Sequence, residues 1–244
     1  SKWCNDWQLH LSPSKCAVFS ISSKSVKYCY KINNTALEHV LNFTDLGVLV
    51  DSSLSFETHI NTICTKARQR PGLILKCFTS RDPFLLIRAF TTYVRPLLEY
   101  ASAVWSPSKI HLIDKLESVQ RRFTKRLKGL SHMSYETRLY YLRVESLELR
   151  RHKSYLTLYF KILHNYIDMD AKTFFLVSNS NRTRGHSLKL LKPVCRTNLQ
   201  LSSFSCRAIN SWNSLPSDIV ESANLHTFKS KLNSLSPNLL IQNL

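Results

Sequence analysis

Template-directed nucleotidyl transfer requires carboxylates close enough to hold two metal ions, and the sequence contains no Asp-Asp pair. The Asp168-Met169-Asp170 triplet closes an apolar helical stretch, where exposed helix-end acids are the simpler reading. His10, His39, His59, His111, His132, His152, His164, His186 and His226 never fall four apart, the spacing of a zinc-protease helix. No Gly-x-Ser-x-Gly elbow is present, and the 4 glycines leave little material for phosphate loops. His186, Cys195, Cys206 and His226 can be drawn as a zinc set, but their spacing matches no compact finger. The expectation is a chain with no catalytic residue and no metal site of its own.

What remains is cationic patterning. Arg121, Arg122, Lys125, Arg126 and Lys128 sit off the apolar stripe of their helix, with 121/125 and 122/126 four residues apart. One helix thus carries an apolar face and a cationic ridge, a shape suited to following a phosphate backbone, with a merely solvated face as the alternative. Arg150 and Arg151 lead into a further apolar helix, and Arg182 and Arg184 lie in a polar loop. These are weaker candidates for the same contact. Tyr140, Tyr141, Tyr155, Tyr159 and Phe160 recur at helical spacing, which favours core packing over base stacking.

The whole composition points the same way: 34 Lys and Arg against 16 Asp and Glu give a net charge of +18, a balance that seeks a polyanion. Nucleic acid is the first partner class. A membrane is disfavoured, because no stretch approaches the roughly 20 apolar residues of a spanning helix. The 7 cysteines form an odd set without Cys-x-x-Cys spacing. Reduced thiols are expected, in an intracellular chain of the nucleus or cytoplasm that is not secreted. The sequence opens at Ser1 rather than at methionine, which suggests a fragment.

The elements that must carry the ridge follow from periodicity. CAVFSI (16 to 21), VKYCYKI (26 to 32) and LGVLVD (46 to 51) predict strands, and Asn33-Asn34 predicts a hairpin turn towards TALEHVL (35 to 41). After Asp51 the spacing becomes helical along Phe56, Ile60, Ile63, Cys64 and Ala67, with a kink or break expected at Pro71-Gly72. Asp82-Pro83 predicts a helix start, with Leu86, Phe90, Tyr93, Val94 and Leu97 on one face.

Leu112, Leu116, Val119, Phe123, Leu127 and Leu130 predict the clearest helix, from 110 to 130, with Gly129 at its end. Further helices are expected over 147–166 and 225–235, and an exposed loop over 178–201. The fold class is α+β: a small antiparallel sheet at the N-terminus followed by a mainly helical region. The expected division is 1–54, 55–177 and 178–244.

Six blocks now stand in order: WCNDWQLHLSPSKC (3 to 16), FTDLGVLVDSSLSFETHI (43 to 60), YVRPLLEYASAVWSP (93 to 107), LESVQRRFTKRL (116 to 127), LELRR (147 to 151) and INSWNSLP (209 to 216). Together they resemble the non-LTR retrotransposon reverse transcriptases, of the jockey-like, LINE-type branch. The resemblance implies the end of the palm (1–54), a thumb-like region (55–177) and a C-terminal extension (178–244), downstream of the catalytic Asp-Asp hairpin. It implies an RNA template and a DNA primer as partners, with Mg expected only in the full-length parent. The alternative is a non-enzymatic, host-retained nucleic-acid-binding or interaction module.

By the same resemblance, Lys15 matches the lysine of a Leu-Asn-x-x-Lys block near the nucleotide site, although Ser12 stands where that block's Asn is usual. Leu46 and Gly47 match the hairpin thought to steady the primer end, with a plain strand bend as the other reading. The ridge at 121 to 128 matches the thumb's Gln-Arg-Arg segment. Trp212, Asn213, Leu215 and Pro216 match a Trp-Asn-x-Leu-Pro motif, where the indole reads as a packing anchor. Pro71 replaces a usually aliphatic residue.

Overall fold

The computed structural model describes residues 2–8, 11–21, 28–32, 34–178, 185–236 and 240. It is α+β, with strands near the N-terminus and helices after them, as the residue patterns predict. The chain divides into two compact units, Ser1–Asn61 and Thr62–Leu244.

In the first unit, helix α1 (Lys2–Asp6) and a short 3-10 turn (Pro13–Lys15) precede strand β1 (Ala17–Phe19). A hairpin forms as β2 (Lys31–Ile32) against β3 (Thr35–Ala36), with Asn34 at φ 64°, while Asn33 lies outside the described residues. One further bond extends the hairpin, Leu37 N donating to Tyr30 O at 2.8 Å, and β4 (Glu38–Val40) then pairs in parallel with β1. Among the described residues the strands form two-stranded ladders, one of them parallel.

Strands β5 (Asn42–Asp45) and β6 (Val48–Asp51) form the longest ladder, in the register Asp45↔Val48. That register leaves Leu46 and Gly47 as a two-residue loop, with φ of 44° and 83°. Positive φ at both positions is what a twist-matched hairpin turn demands, and Gly47 adopts it without the steric cost that Leu46 bears.

Asp51 ends β6 and organises the following loop. Its carboxylate accepts from the backbone N–H of Ser53, Ser55 and Phe56 at 3.0, 3.2 and 2.9 Å, and from the Ser53 and Ser55 hydroxyls. Desolvation pushes its pKa up, but these hydrogen bonds outweigh it and hold the value at about 2.

Helix α2 (Glu57–Cys77) follows, and the division between units falls in its first turns. It does not break at Pro71-Gly72 as the sequence suggests. Ile60, Cys64, Ala67, Pro71 and Ile74 are all buried at steps of four and three, so the proline ring sits on the apolar face and its packing offsets part of the cost of the lost hydrogen bond.

Helix α3 (Pro83–Tyr93) begins where Asp82 predicts, its side chain accepting from Leu85 N at 2.9 Å. It stops one turn early, so Tyr93 is exposed, and Leu98 of α4 (Arg95–Glu99) is buried in place of Leu97. Helix α5 (Ser102–Trp105) buries Trp105, whose indole N–H donates to Tyr100 O at 2.7 Å.

Helix α6 (Ile110–Lys125) buries Leu112, Leu116, Val119 and Phe123, and the turns after it bury Leu127 and Leu130. Each such side chain contributes about 1.5–3 kcal/mol relative to exposure. The helix ends five residues before the predicted Leu130, and Gly129 lies in the turns that follow, at φ 80°.

Helix α7 (Tyr135–Leu142) and helix α8 (Leu147–Leu163) are capped by Ser134 and Ser146. The core of the second unit forms around α8, with Leu156, Tyr159, Phe160 and Ile162 against C-terminal residues Ile209, Trp212, Phe228 and Leu232. Tyr155, Tyr159 and Phe160 take the expected core positions, whereas Tyr140 is 88% exposed and Tyr141 45%.

After α8 come α9 (Ala171–Phe174), β7 (Leu176–Val177) and β8 (Leu190–Leu191), then α10 (Asn198–Leu201), α11 (Phe204–Arg207), α12 (Ile209–Asn213), α13 (Ser217–Val220) and α14 (Leu225–Ser234). Residues 185–201 are not simply an exposed loop. Asn213 accepts from Leu190 N and donates to Leu190 O, both at 2.8 Å, drawing β8 onto α12 as a neighbouring strand would. Trp212, fully buried, donates its indole N–H to Leu188 O at 2.8 Å, and His186 bonds Trp212 O at 3.1 Å. The Trp-Asn pair is thus scaffold.

Candidate functional site

Burying the apolar stripe of α6 fixes what the opposite side must present. Arg121, Arg122, Lys125, Arg126 and Lys128 are all exposed. Arg121 pairs with Asp114 at 3.4 Å and lies 5.2 Å over the Tyr135 ring, which holds its guanidinium back along the helix. Arg122, Lys125, Arg126 and Lys128 form no ion pair among the described residues.

Beside the ridge, α2 and α6 enclose a cleft of about 420 Å³. Pro71, Val119 and Phe123 line it, and Arg68, Arg122, Lys125 and Arg126 complete it without any acidic residue. Arg68 donates to Ser118 Oγ at 3.1 Å, which ties it to α6. The sequence reading missed Arg68. Its signal was the Lys66, Arg68, Arg70 alternation just before a proline on the apolar face of α2. The arrangement is an apolar-floored cationic cleft continuous with a cationic ridge.

The other candidates are placed differently. Arg150 is held by Glu99, Nε to Oε1 at 2.5 Å and Nη2 to Oε2 at 3.1 Å, and that hydrogen-bonded pairing raises its pKa. Arg151 is 3% exposed, inside the fold rather than on the ridge. Arg182 and Arg184 lie outside the described residues. Lys15 is exposed at the end of its 3-10 turn, and the Leu46 side chain, 83% exposed, projects at the tip of the β5–β6 hairpin with Gly47.

No three His, Cys, Asp or Glu side chains converge among the described residues. No metal-dependent step is assigned to the described residues. Of the drawn zinc set, Cys195 Sγ lies 3.8 Å from Cys206 Sγ, while His186 is committed to Trp212 O. Asp168 and Asp170 are exposed, and Asp170 caps α9 through Lys172 N at 3.0 Å. No helix among the described residues is long and apolar enough to cross a membrane.

Similarity to known proteins bears on this geometry. The uncharacterized protein B0403.1 of Caenorhabditis elegans is 30% identical over 133 residues, covering 52% of this chain and 67% of that protein. The chain belongs to that nematode protein's family. It is also similar to the RNA-directed DNA polymerase from mobile element jockey of Drosophila funebris, 24% identical over 133 residues. That similarity covers 52% of this chain and only 14% of the polymerase. It relates the chain to retrotransposon reverse transcriptases over a limited part of their length. No family model and no solved structure matches.

Proposed function

We propose that this chain acts as the palm-end, thumb and C-terminal part of a jockey-like, non-LTR reverse transcriptase, holding RNA template and DNA primer without performing catalysis itself. The observation that carries the reading is the α6 ridge with its cleft. Arg122, Lys125 and Arg126 are exposed there, and Arg68 joins them across an apolar floor. The partial similarity to the jockey polymerase supports a polymerase setting for that surface. Unpaired cations in a row neutralise successive phosphates without reading sequence. Magnesium belongs to the full-length parent in this reading, and Lys15, Leu46 and Gly47 face the nucleotide and primer end.

The nematode relative, two thirds of which aligns, favours a second reading: a binding module that works outside a whole polymerase. Both readings share the surface and differ in its setting.

The deciding experiment is fluorescence anisotropy with an RNA/DNA hybrid across a salt series. Affinity falls with salt at a log-log slope of about 0.9 per phosphate neutralised. The quadruple change Arg121→Glu, Arg122→Glu, Lys125→Glu, Arg126→Glu lowers affinity and flattens the slope while the thermal unfolding midpoint holds. Unchanged affinity in that variant would refute the role of the ridge.

A further inference from the structure

A second cavity, of about 470 Å³, lies away from the ridge, between the segment leading into α6, the first turns of α8, and α10–α11. Its polar wall is Lys109, Glu148, Arg151, His152, Lys192 and Arg207. Arg151 is 3% exposed and His152 1%. Yet Arg151 Nη1 has no hydrogen-bond partner, and neither does either ring nitrogen of His152 or Arg207 Nε.

Arg207 is pinned in place. Its Nη1 donates to Ser106 O and to the Tyr155 hydroxyl, each at 3.0 Å, and its guanidinium stacks 5.0 Å over the Tyr155 ring.

A guanidinium cannot shed its proton, so a buried N–H without an acceptor persists as a cost that an arriving anion removes. Burial lowers the Arg151 pKa by more than Tyr155, Glu117, Glu148 and Glu99 raise it through space, and no hydrogen bond reaches its Nη1. Lys109, Arg151, Lys192 and Arg207 stand against the one carboxylate in the wall, Glu148. That excess fits a dianion better than a monocarboxylate, and a tetrahedral oxyanion offers enough acceptors for several donors at once. Pro107, Ile113 and Leu201 give the cavity an apolar side. Its volume lies in the range of small-molecule sites, roughly 300–1,000 Å³.

We infer that this cavity binds a phosphate monoester on an organic group of about mononucleotide size. Arg151 and Arg207 receive the phosphate, and the apolar side receives the organic group. The site is independent of the ridge and of the polymerase reading. The shared chemistry is the phosphomonoester, whether on a free nucleotide or at the end of a strand.

The test is calorimetric titration of the whole chain with adenosine 5′-monophosphate, adenosine and inorganic phosphate. Saturable binding of the monophosphate, at least tenfold tighter than either of the others, is expected. His152 ring signals in NMR spectra of the unaltered chain shift along the same titration. Arg151→Gln lowers affinity at least tenfold. Should Arg151→Gln unfold the chain, Lys192→Ala at the rim gives a smaller loss in a folded protein. Arg122→Glu with Arg126→Glu leaves monophosphate binding unchanged.

A 5′-phosphorylated oligonucleotide that outcompetes its 5′-hydroxyl twin assigns the site to strand ends, and equal competition assigns it to free nucleotides. Equal binding of adenosine and its monophosphate, or monophosphate binding indifferent to Arg151→Gln and Lys192→Ala in folded protein, would overturn the inference.

Discussion

The carboxylate of Glu117, on α6, receives the backbone N–H of Leu147, the first residue of α8, at 3.0 and 3.2 Å. The same carboxylate accepts from Glu148 N at 3.3 Å and from the Tyr135 hydroxyl. Burial, then the Glu117 charge beside it, pushes the Tyr135 phenol far up, so it stays a donor. A negative group at a helix N-terminus is favoured by unpaired N–H groups and the helix dipole alike. One side chain thus joins the helix that carries the ridge to the helix that carries the buried Arg151 and His152.

Removing that charge should cost stability without touching the ridge. Glu117→Gln keeps the shape but turns an amide N–H towards backbone N–H groups, a loss of about 2 kcal/mol for a buried charged acceptor. With a urea dependence of about 2 kcal/mol per molar, the denaturation midpoint falls by about 1 M. Hybrid affinity measured well below that midpoint stays at the unaltered level.

Acid should destabilise the chain in two steps. Burial holds His152 at about 4, below its ordinary 6.5, so between those values the unfolded chain takes up a proton that the folded chain refuses. Stability is full above pH 6.5 and is lost as pH falls towards 4, by at most about 3 kcal/mol. Asp51, held at about 2 against an ordinary 3.8, acts lower down: its contribution is present above pH 3.8 and is lost as pH falls through 2. Urea midpoints taken from pH 7.5 to 4.5 show the first step, and His152→Gln flattens it.

Asn213 and Trp212 should behave as structural residues. Asn213→Leu removes both hydrogen bonds to Leu190 and leaves backbone groups unpaired, a cost of about 2 kcal/mol. Trp212→Ala costs about 3–5 kcal/mol through the cavity it leaves. Hydrogen exchange at Leu190 N speeds up in the Asn213 variant. An unchanged exchange rate there would mean that β8 is held by something else.

Arginines that look alike in sequence should separate by assay. Arg122→Ala with Arg126→Ala weakens hybrid binding about tenfold at low salt and leaves the thermal midpoint within a degree or two, because both are exposed. Arg150→Ala does the reverse: it removes both hydrogen bonds to the half-buried Glu99, leaving it the longer 3.7 Å pairing with Arg95, and lowers the midpoint, with little change in hybrid affinity at temperatures where the chain is folded.

The contrast between those arginines explains how far the sequence could be read. The α6 stripe was legible because apolar residues at three- and four-residue steps have one way to be buried, and the ridge followed as the remainder. Arg150 and Arg151 have the same local signature, and only tertiary contacts, Glu99 for one and a cavity for the other, set them apart. The β1–β4 parallel pairing was illegible for a similar reason, since strand partners are chosen across the fold rather than along the chain. His186 and Leu190 are buried rather than exposed because Trp212 and Asn213, more than twenty residues on, supply their hydrogen bonds.

Pro71 offers a test of the cleft that changes no charge. Within α2 its missing N–H leaves the Ala67 carbonyl without its helical donor, a defect worth about 3 kcal/mol in a helix interior, while its ring packs on the buried face and lines the cleft with Val119 and Phe123. Pro71→Ala restores the bond and gives up part of the packing, so the net gain is about 1 kcal/mol and a higher melting midpoint. Pro71→Phe instead fills the cleft with a bulky ring between Arg68 and Arg122. If nucleic acid enters the cleft, that variant loses hybrid affinity while keeping every cation and the same salt slope. If contact stops at the ridge, Pro71→Phe binds as the unaltered chain does, and Arg68→Ala is equally silent.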